Sequence, residues 1–201
     1  MNITTDSPSC YRIQKEYSPS LMAEHKTNCF KCIKNGACEL QAMAREYGID
    51  VPNFKSSHGD VQHEPFDAHP FLSYDPGLCI QCQRCISTCA KATGRHALSL
   101  ERNGARVYVK VPFGEGWENS LCESCGNCAQ ACPTGALTIK RRKDYREWEV
   151  KKVRTTCPHC ATGCQMDLYV KDGKIVDVQG ADGPSNHNLL CVKGRSGSFD
   201  S

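Results

Sequence analysis

The placement of its cysteines constrains this chain more than any other feature. Sixteen cysteines stand among 201 residues, and fifteen of them fall into four groups. Cys29, Cys32 and Cys38 follow His25 with the spacing H-x3-C-x2-C-x5-C. Cys79, Cys82, Cys85 and Cys89 form a second run, and Cys122, Cys125, Cys128 and Cys132 a third with the same spacing. Cys157, Cys160 and Cys164 open a fourth group that Cys191 completes after a long gap. With His25 counted, that makes four sets of four ligands, and only Cys10 is left over.

Cysteines also make up about a fifth of the 39% of residues counted as hydrophobic. The remaining apolar content is thin for a conventional core, so disulfides or metals must supply part of the folding free energy. Disulfides suit exported chains. Met1 to Ser18 is polar and lacks the apolar stretch of a signal peptide, and Arg141-Arg142 lies too far inside the chain for a twin-arginine signal. No run approaches the roughly 18 apolar residues of a membrane span. These features lead us to expect a cytoplasmic, metal-binding chain. The net charge of +3 comes from interspersed acidic and basic residues. It gives no reason to expect nucleic acid as a partner.

The second and third groups carry the most specific signal. The spacing C-x2-C-x2-C-x3-C presents three thiolates to one [4Fe–4S] cluster and sends the fourth to a neighbouring cluster. By that rule Cys79, Cys82, Cys85 and Cys132 serve one cluster, and Cys122, Cys125, Cys128 and Cys89 the other. Pro133 ends the third group as in bacterial ferredoxins, whereas Ala90 stands after the second. Zinc, which favours C-x2-C pairs separated by longer loops, is the competing reading. It competes more strongly at the fourth group, where C-x2-C and two further cysteines would also suit a zinc ribbon. There His159, between two ligands, reads as a bystander that could hydrogen-bond a cluster sulfur. In the first group His25 is the expected fourth ligand, with Cys10 as its competitor. An imidazole in place of thiolate removes negative charge and raises the potential.

Local patterns place these groups on a small α+β scaffold. Leu40 to Tyr47 has helical spacing. Ala97 to Leu100 and Ala105 to Val111 read as a hairpin about Asn103-Gly104, and Leu137 to Ile139 as a short strand closing a ferredoxin-like unit. Met166 to Val178 reads as two strands about the turn from Lys171 to Lys174. Ser56 to Pro70, with His58, His63 and His69, reads as solvated loop. Lys140 to Arg154 reads as a basic solvated connector or helix that could also offset cluster charge. Three domains are expected: residues 1–68 with the His/Cys3 site, 69–145 with two ferredoxin-like sites, and 146–201 with a small β-rich site.

The order of these groups resembles the N-terminal iron–sulfur region of cytoplasmic formate dehydrogenase catalytic subunits, over residues 25–197. Asn35 to Gln41 resembles the histidine-ligated cluster motif shared with the large subunit of respiratory complex I and with [FeFe] hydrogenases. Cys128 to Leu137 is similar to the second ferredoxin run of that group. Cys157 to Cys164 and Cys191 to Arg195 resemble the cluster domain that opens molybdopterin oxidoreductases. The resemblance implies four [4Fe–4S] clusters. It also implies that Lys193, two places after the last cysteine, sits between cluster and pterin cofactor.

The pterin-binding and catalytic domains of formate dehydrogenases would follow residue 197, and a [2Fe–2S] domain would precede the His/Cys3 site. We therefore expect a standalone electron-transfer subunit, not catalytic alone. Its expected partners are formate dehydrogenase, hydrogenase or flavin-containing NAD(P)H subunits, or a ferredoxin. A truncated formate dehydrogenase subunit is the alternative, and a zinc-stapled interaction module the third. The last module is expected to offer a docking face with Lys193 and Arg195 exposed or covered by another subunit.

Overall fold

The computed structural model describes residues 3–23, 25–49, 69–103, 106–111, 116–140 and 145–197. His58, His63 and the expected turn residue Gly104 lie outside them.

Helices α1 (Pro8–Ala23) and α2 (Glu39–Tyr47) frame the first cysteine group. They meet through Met22, Leu40 and Ala44, with Cys38 and Ile80 packed against the cluster. The Tyr47 hydroxyl donates to Gln14 at 2.9 Å, and the Tyr11 and Tyr47 rings lie 5.1 Å apart. Helix α2 follows Cys38 in extended conformation and stops at Gly48, whose φ of 64° suits a residue without a Cβ. The expected helix is present and packs beside its cysteine loop.

The middle module is built from β1 (Leu72–Tyr74), α3 (Arg84–Ser87), β2 (Ser99–Asn103), β3 (Arg106–Lys110), α4 (Asn127–Ala131) and β4 (Leu137–Ile139). The first and last strands pair antiparallel, Leu72 opposite Ile139 and Tyr74 opposite Leu137. Their end residues point inward and the middle ones are half-buried, as period-two alternation requires. Strands β2 and β3 form the expected hairpin, with Asn103 opposite Arg106. The core joins Leu72, Tyr74, Leu98, Val109, Trp117, Leu137 and Ile139, with Cys79, Cys85, Cys89, Cys122 and Cys132 packed against it. Cys128 is itself a buried core residue, and the other five form part of the core's half-buried margin.

The last module is an antiparallel sheet of β5 (Lys151–Thr156), β6 (Gln165–Lys171) and β7 (Lys174–Gly180), followed by α5 (Val192–Ser196). Asp172 and Gly173 turn between β6 and β7 with φ of 49° and 74°. Positive φ at both central residues is what a two-residue hairpin turn demands. Strand β5 corrects the reading of Lys140 to Arg154 as connector. Its side chains are almost all exposed, and lysines on an exposed edge suppress pairing with other chains. Such a strand carries no apolar alternation to reveal it.

The modules are joined by specific polar contacts. The Lys26 amide donates to the Gly77 carbonyl at 2.8 Å, and the Glu39 amide to that of Pro133 at 3.0 Å. Arg84 holds both Glu39 carboxylate oxygens at 2.7 Å. On the other side, α4 presents two amide side chains to the last module. Asn127 donates to the Leu190 carbonyl and accepts from its amide, while Gln130 does the same with Gly180. Each side chain thereby completes backbone hydrogen bonding as a neighbouring strand would.

Candidate iron–sulfur centres

The two middle runs share one local design. Residues two and four places after the leading cysteine adopt left-handed backbone: Gln81 (φ 56°) and Gln83 (61°) after Cys79, Ser124 (56°) and Gly126 (71°) after Cys122. The chain then enters α3 or α4 directly. These reversals coil the loop so that three thiols face one space and backbone N–H groups turn inward. The Gln81 amide donates to Cys79 Sγ at 3.4 Å, and the Ser124 amide to Cys122. Sequence spacing indicated the loop; only the structure shows the paired left-handed residues, three of which are not glycine.

Each run lends its fourth thiol to the other. Cys79, Cys82, Cys85 and Cys132 ring one cavity, closed by Tyr74, Val109 and Leu137. Cys89, Cys122, Cys125 and Cys128 ring a second, closed by Leu72, Leu98 and Trp117. Burial, then the charges of Cys132 and Cys79, pushes the Cys85 thiol up to about 12, and burial drives Cys128 well above the usual thiol range. Four thiolates in so apolar a space would need a bound cationic group to share their charge. Cys128 also feels Cys85 and Cys89, so the two cavities are neighbours.

In the first group Cys29, Cys32 and Cys38 lie within electrostatic reach of one another, and burial pushes Cys38 up. The His25 Nδ1 lies 3.1 Å from the Leu78 carbonyl, so Nδ1–H donates there and Nε2 is left for a metal. Cys10 sits on α1, its thiol 3.7 Å from the Thr4 carbonyl. Arg146 donates to the Phe30 and Cys32 carbonyls, a buttress from the segment read as connector.

The long return of Cys191 brings it to its group. Burial and the charges of Cys157, Cys160 and Cys191 all push Cys164 up. Gly194 packs so close to Cys157 Sγ that an added Cβ would lie 3.3 Å from it. Cys160, Cys191 and Lys193 are exposed, and a hydrogen bond with Thr162 pulls the Cys160 thiol down. His159 is exposed, its ring against Gly197.

Arg195 corrects the expectation of an exposed docking cation. It is 1% exposed and reaches into the middle module. Its guanidinium donates to the Cys125 carbonyl at 2.7 Å, the Val178 carbonyl at 3.1 Å, and the side-chain oxygens of Asn127 and Gln130. Gly126 is needed beside it, since a Cβ there would lie 2.7 Å from Arg195 Cδ. His69 corrects the solvated-loop reading in the same way, being 3% exposed. Its Nδ1 accepts from the Phe71 and Leu72 amides, Nε2 lies 3.4 Å from Cys122 Sγ, and Trp117 meets the ring edge-on at 4.7 Å. Tyr74 plays a related part at Cys79, to which its hydroxyl is hydrogen-bonded while accepting from the Val109 amide.

Among the described residues, no group of three or more His, Cys, Asp or Glu side chains is gathered as a single metal ion would require. Tetrahedral zinc draws its thiolates to about 2.3 Å from one centre. Here the cysteines of the two middle runs stand around cavities, an arrangement that fits [4Fe–4S] clusters, in which each thiolate meets a different iron. No described helix is long and apolar enough to cross a membrane.

Three family models match successive parts of the chain. The NADH-ubiquinone oxidoreductase-G iron–sulfur binding region matches residues 19–52. The ferredoxin-like domain of NADH-quinone oxidoreductase subunit 3 matches 70–138, and the Fe4S4 domain of molybdopterin oxidoreductases 150–199. A G-type subunit of NADH-quinone oxidoreductase from Rhizobium meliloti is 33% identical over 98% of this chain and 23% of its own length. The NADPH-Fe(3+) oxidoreductase subunit alpha of Geobacter sulfurreducens is 31% identical over the same shares. A putative formate dehydrogenase of Staphylococcus haemolyticus is 27% identical over 97% of this chain and 24% of its own. The chain therefore spans about a quarter of the length of these relatives. A crystal structure of NAD+-reducing [NiFe]-hydrogenase in the H2-reduced state superposes with a TM-score of 0.58 at 29% identity, covering 67% of this chain and 57% of that one. Cysteine loops, fold and relatives agree that this chain, built of [4Fe–4S]-binding domains, is an iron–sulfur electron-transfer region of the NADH-quinone oxidoreductase, formate dehydrogenase and hydrogenase family.

Proposed function

We propose that the chain holds four [4Fe–4S] clusters and relays electrons through them in a cytoplasmic multisubunit oxidoreductase. The observation that carries this reading is the pair of adjacent cavities, each ringed by three cysteines of one run and the fourth of the other. His25, Cys29, Cys32 and Cys38 would hold another cluster, and Cys157, Cys160, Cys164 and Cys191 the last. When bound, such clusters supply outer-sphere, one-electron transfer. The chain's residues fix the sites and line the middle pair with apolar side chains such as Tyr74, Leu72 and Trp117. They also leave the last site open at Cys160 and Cys191, with Lys193 beside it for a partner's cofactor or surface. The three proposed units are residues 1–68, 69–145 and 146–201. Partners of the expected kinds are NAD(P)H-linked flavin subunits, hydrogenase or formate dehydrogenase. The relatives' greater length favours a second reading, in which the relay feeds a catalytic body within one longer polypeptide.

Iron and acid-labile sulfide analysis of anaerobically purified protein tests the assignment. About sixteen of each per chain are expected, with Cys10→Ser unchanged. About eight irons, or stoichiometric zinc, would overturn it.

A further inference from the structure

We propose that His69 raises the reduction potential of the cluster held by Cys122, Cys125, Cys128 and Cys89, by donating its Nε2 proton to the Cys122 sulfur. The proposal rests on the four-cluster reading. The ring's own contacts fix the direction of the bond. Two backbone amides, of Phe71 and Leu72, point at Nδ1 at 3.0 and 2.9 Å. A nitrogen that accepts hydrogen bonds carries no proton, so the neutral ring must carry its proton on Nε2. That atom faces Cys122 Sγ at 3.4 Å. The tautomer, ambiguous for an isolated histidine, is set here by the start of β1.

Burial and orientation make the contact effective. His69 is 3% exposed and braced edge-on by Trp117, so water does not compete for its Nε2 proton. In such surroundings a hydrogen bond acts more strongly than in water. A donor to a ligating sulfur stabilises the more negative, reduced cluster and so raises its potential. A purely structural residue at this place would need only the Nδ1 acceptor. The Nε2 contact is the part that structure alone leaves unexplained.

The two functions of the ring can be separated by substitution in the cluster-loaded protein. In His69→Asn the side-chain oxygen can accept from the Phe71 and Leu72 amides, but no donor reaches Cys122. In His69→Gln the terminal amide regains that reach. EPR-monitored redox titration should show one midpoint lowered in His69→Asn, by about a tenfold change in the reduction equilibrium, or about 59 mV for one electron. The other three midpoints should stay in place, iron content should remain full, and His69→Gln should recover most of the shift. Full iron with all midpoints unmoved in His69→Asn would overturn the inference. Should His69→Asn lose iron, pulsed EPR of the unsubstituted protein carrying 15N-histidine decides. A weak nitrogen coupling at that cluster, distinct from the strong one of a ligating His25, supports the proposal, and its absence overturns it. An unsubstituted protein lacking this cluster would instead fail the four-cluster reading itself.

Discussion

The middle and last modules hold their cysteines in opposite ways. In the middle module Cys128 sits in the core and Cys85 packs against it, with burial driving both thiols far up. In the last module Cys157 is buried, but Cys160 and Cys191 face solvent and the Cys160 thiol is pulled down. The middle pair is therefore the better shielded, with Cys82 alone of its cysteines exposed, and the last site is the more open of the two. An electron relay needs both: a protected interior path and a terminus near the surface. Arg195 joins the two regions, running from the helix after Cys191 to the carbonyl of Cys125.

The sharpest test of that contrast compares serine substitutions. Cys128→Ser should cost both middle clusters and unfold that module, because each run serves both sites and metal binding supplies folding free energy. Iron should fall by about eight per chain. Cys160→Ser should remove about four irons and leave the middle clusters' EPR signals intact. Equal, local losses from both variants would break the comparison.

A second expectation concerns order of loss. Under limiting oxidant or chelator, the last cluster should go first, and iron release should be biphasic with a fast phase of about a quarter of the total. Release in a single phase would count against the difference in shielding. Next in size is Arg195→Met. It takes the guanidinium from the Cys125 and Val178 carbonyls and leaves Asn127 and Gln130 with one donor fewer, and should cost about 3 kcal/mol of stability. Hydrogen exchange should quicken at Val178 and Leu190, with iron content unchanged at moderate temperature. The smallest effect is expected from Tyr74→Phe. It removes a donor from Cys79 but leaves the core filled, so the Cys79-set midpoint should fall while melting barely moves. A drop in a different cluster's midpoint would show the cavity assignment to be wrong.

The sequence exposed some of this architecture and hid the rest for physical reasons. Ligand loops are local, so the spacing from Cys79 to Cys89 and from Cys122 to Cys132 is visible directly. Hairpins announce themselves by turn chemistry, as at Asp172-Gly173 between β6 and β7. Helix α1 escapes pattern reading because it is polar and carries Pro19, with Tyr11, Ile13, Tyr17 and Leu21 exposed. Strand β1 is three residues long, and its partner β4 comes after both cysteine runs. Strand β5 is an exposed, lysine-bearing edge. His69 and Arg195 look like surface residues by type. Their burial depends on partners such as Trp117 and Gln130, which only the assembled fold brings near.

The central claim is that this chain stores and passes electrons at four separate sites. Anaerobic titration of the purified protein with a strong one-electron reductant, followed by visible absorbance, measures it directly. The account predicts bleaching of a broad iron–sulfur band and uptake of about four electrons per chain. Uptake of about two electrons, or a colourless protein that accepts none, would contradict it.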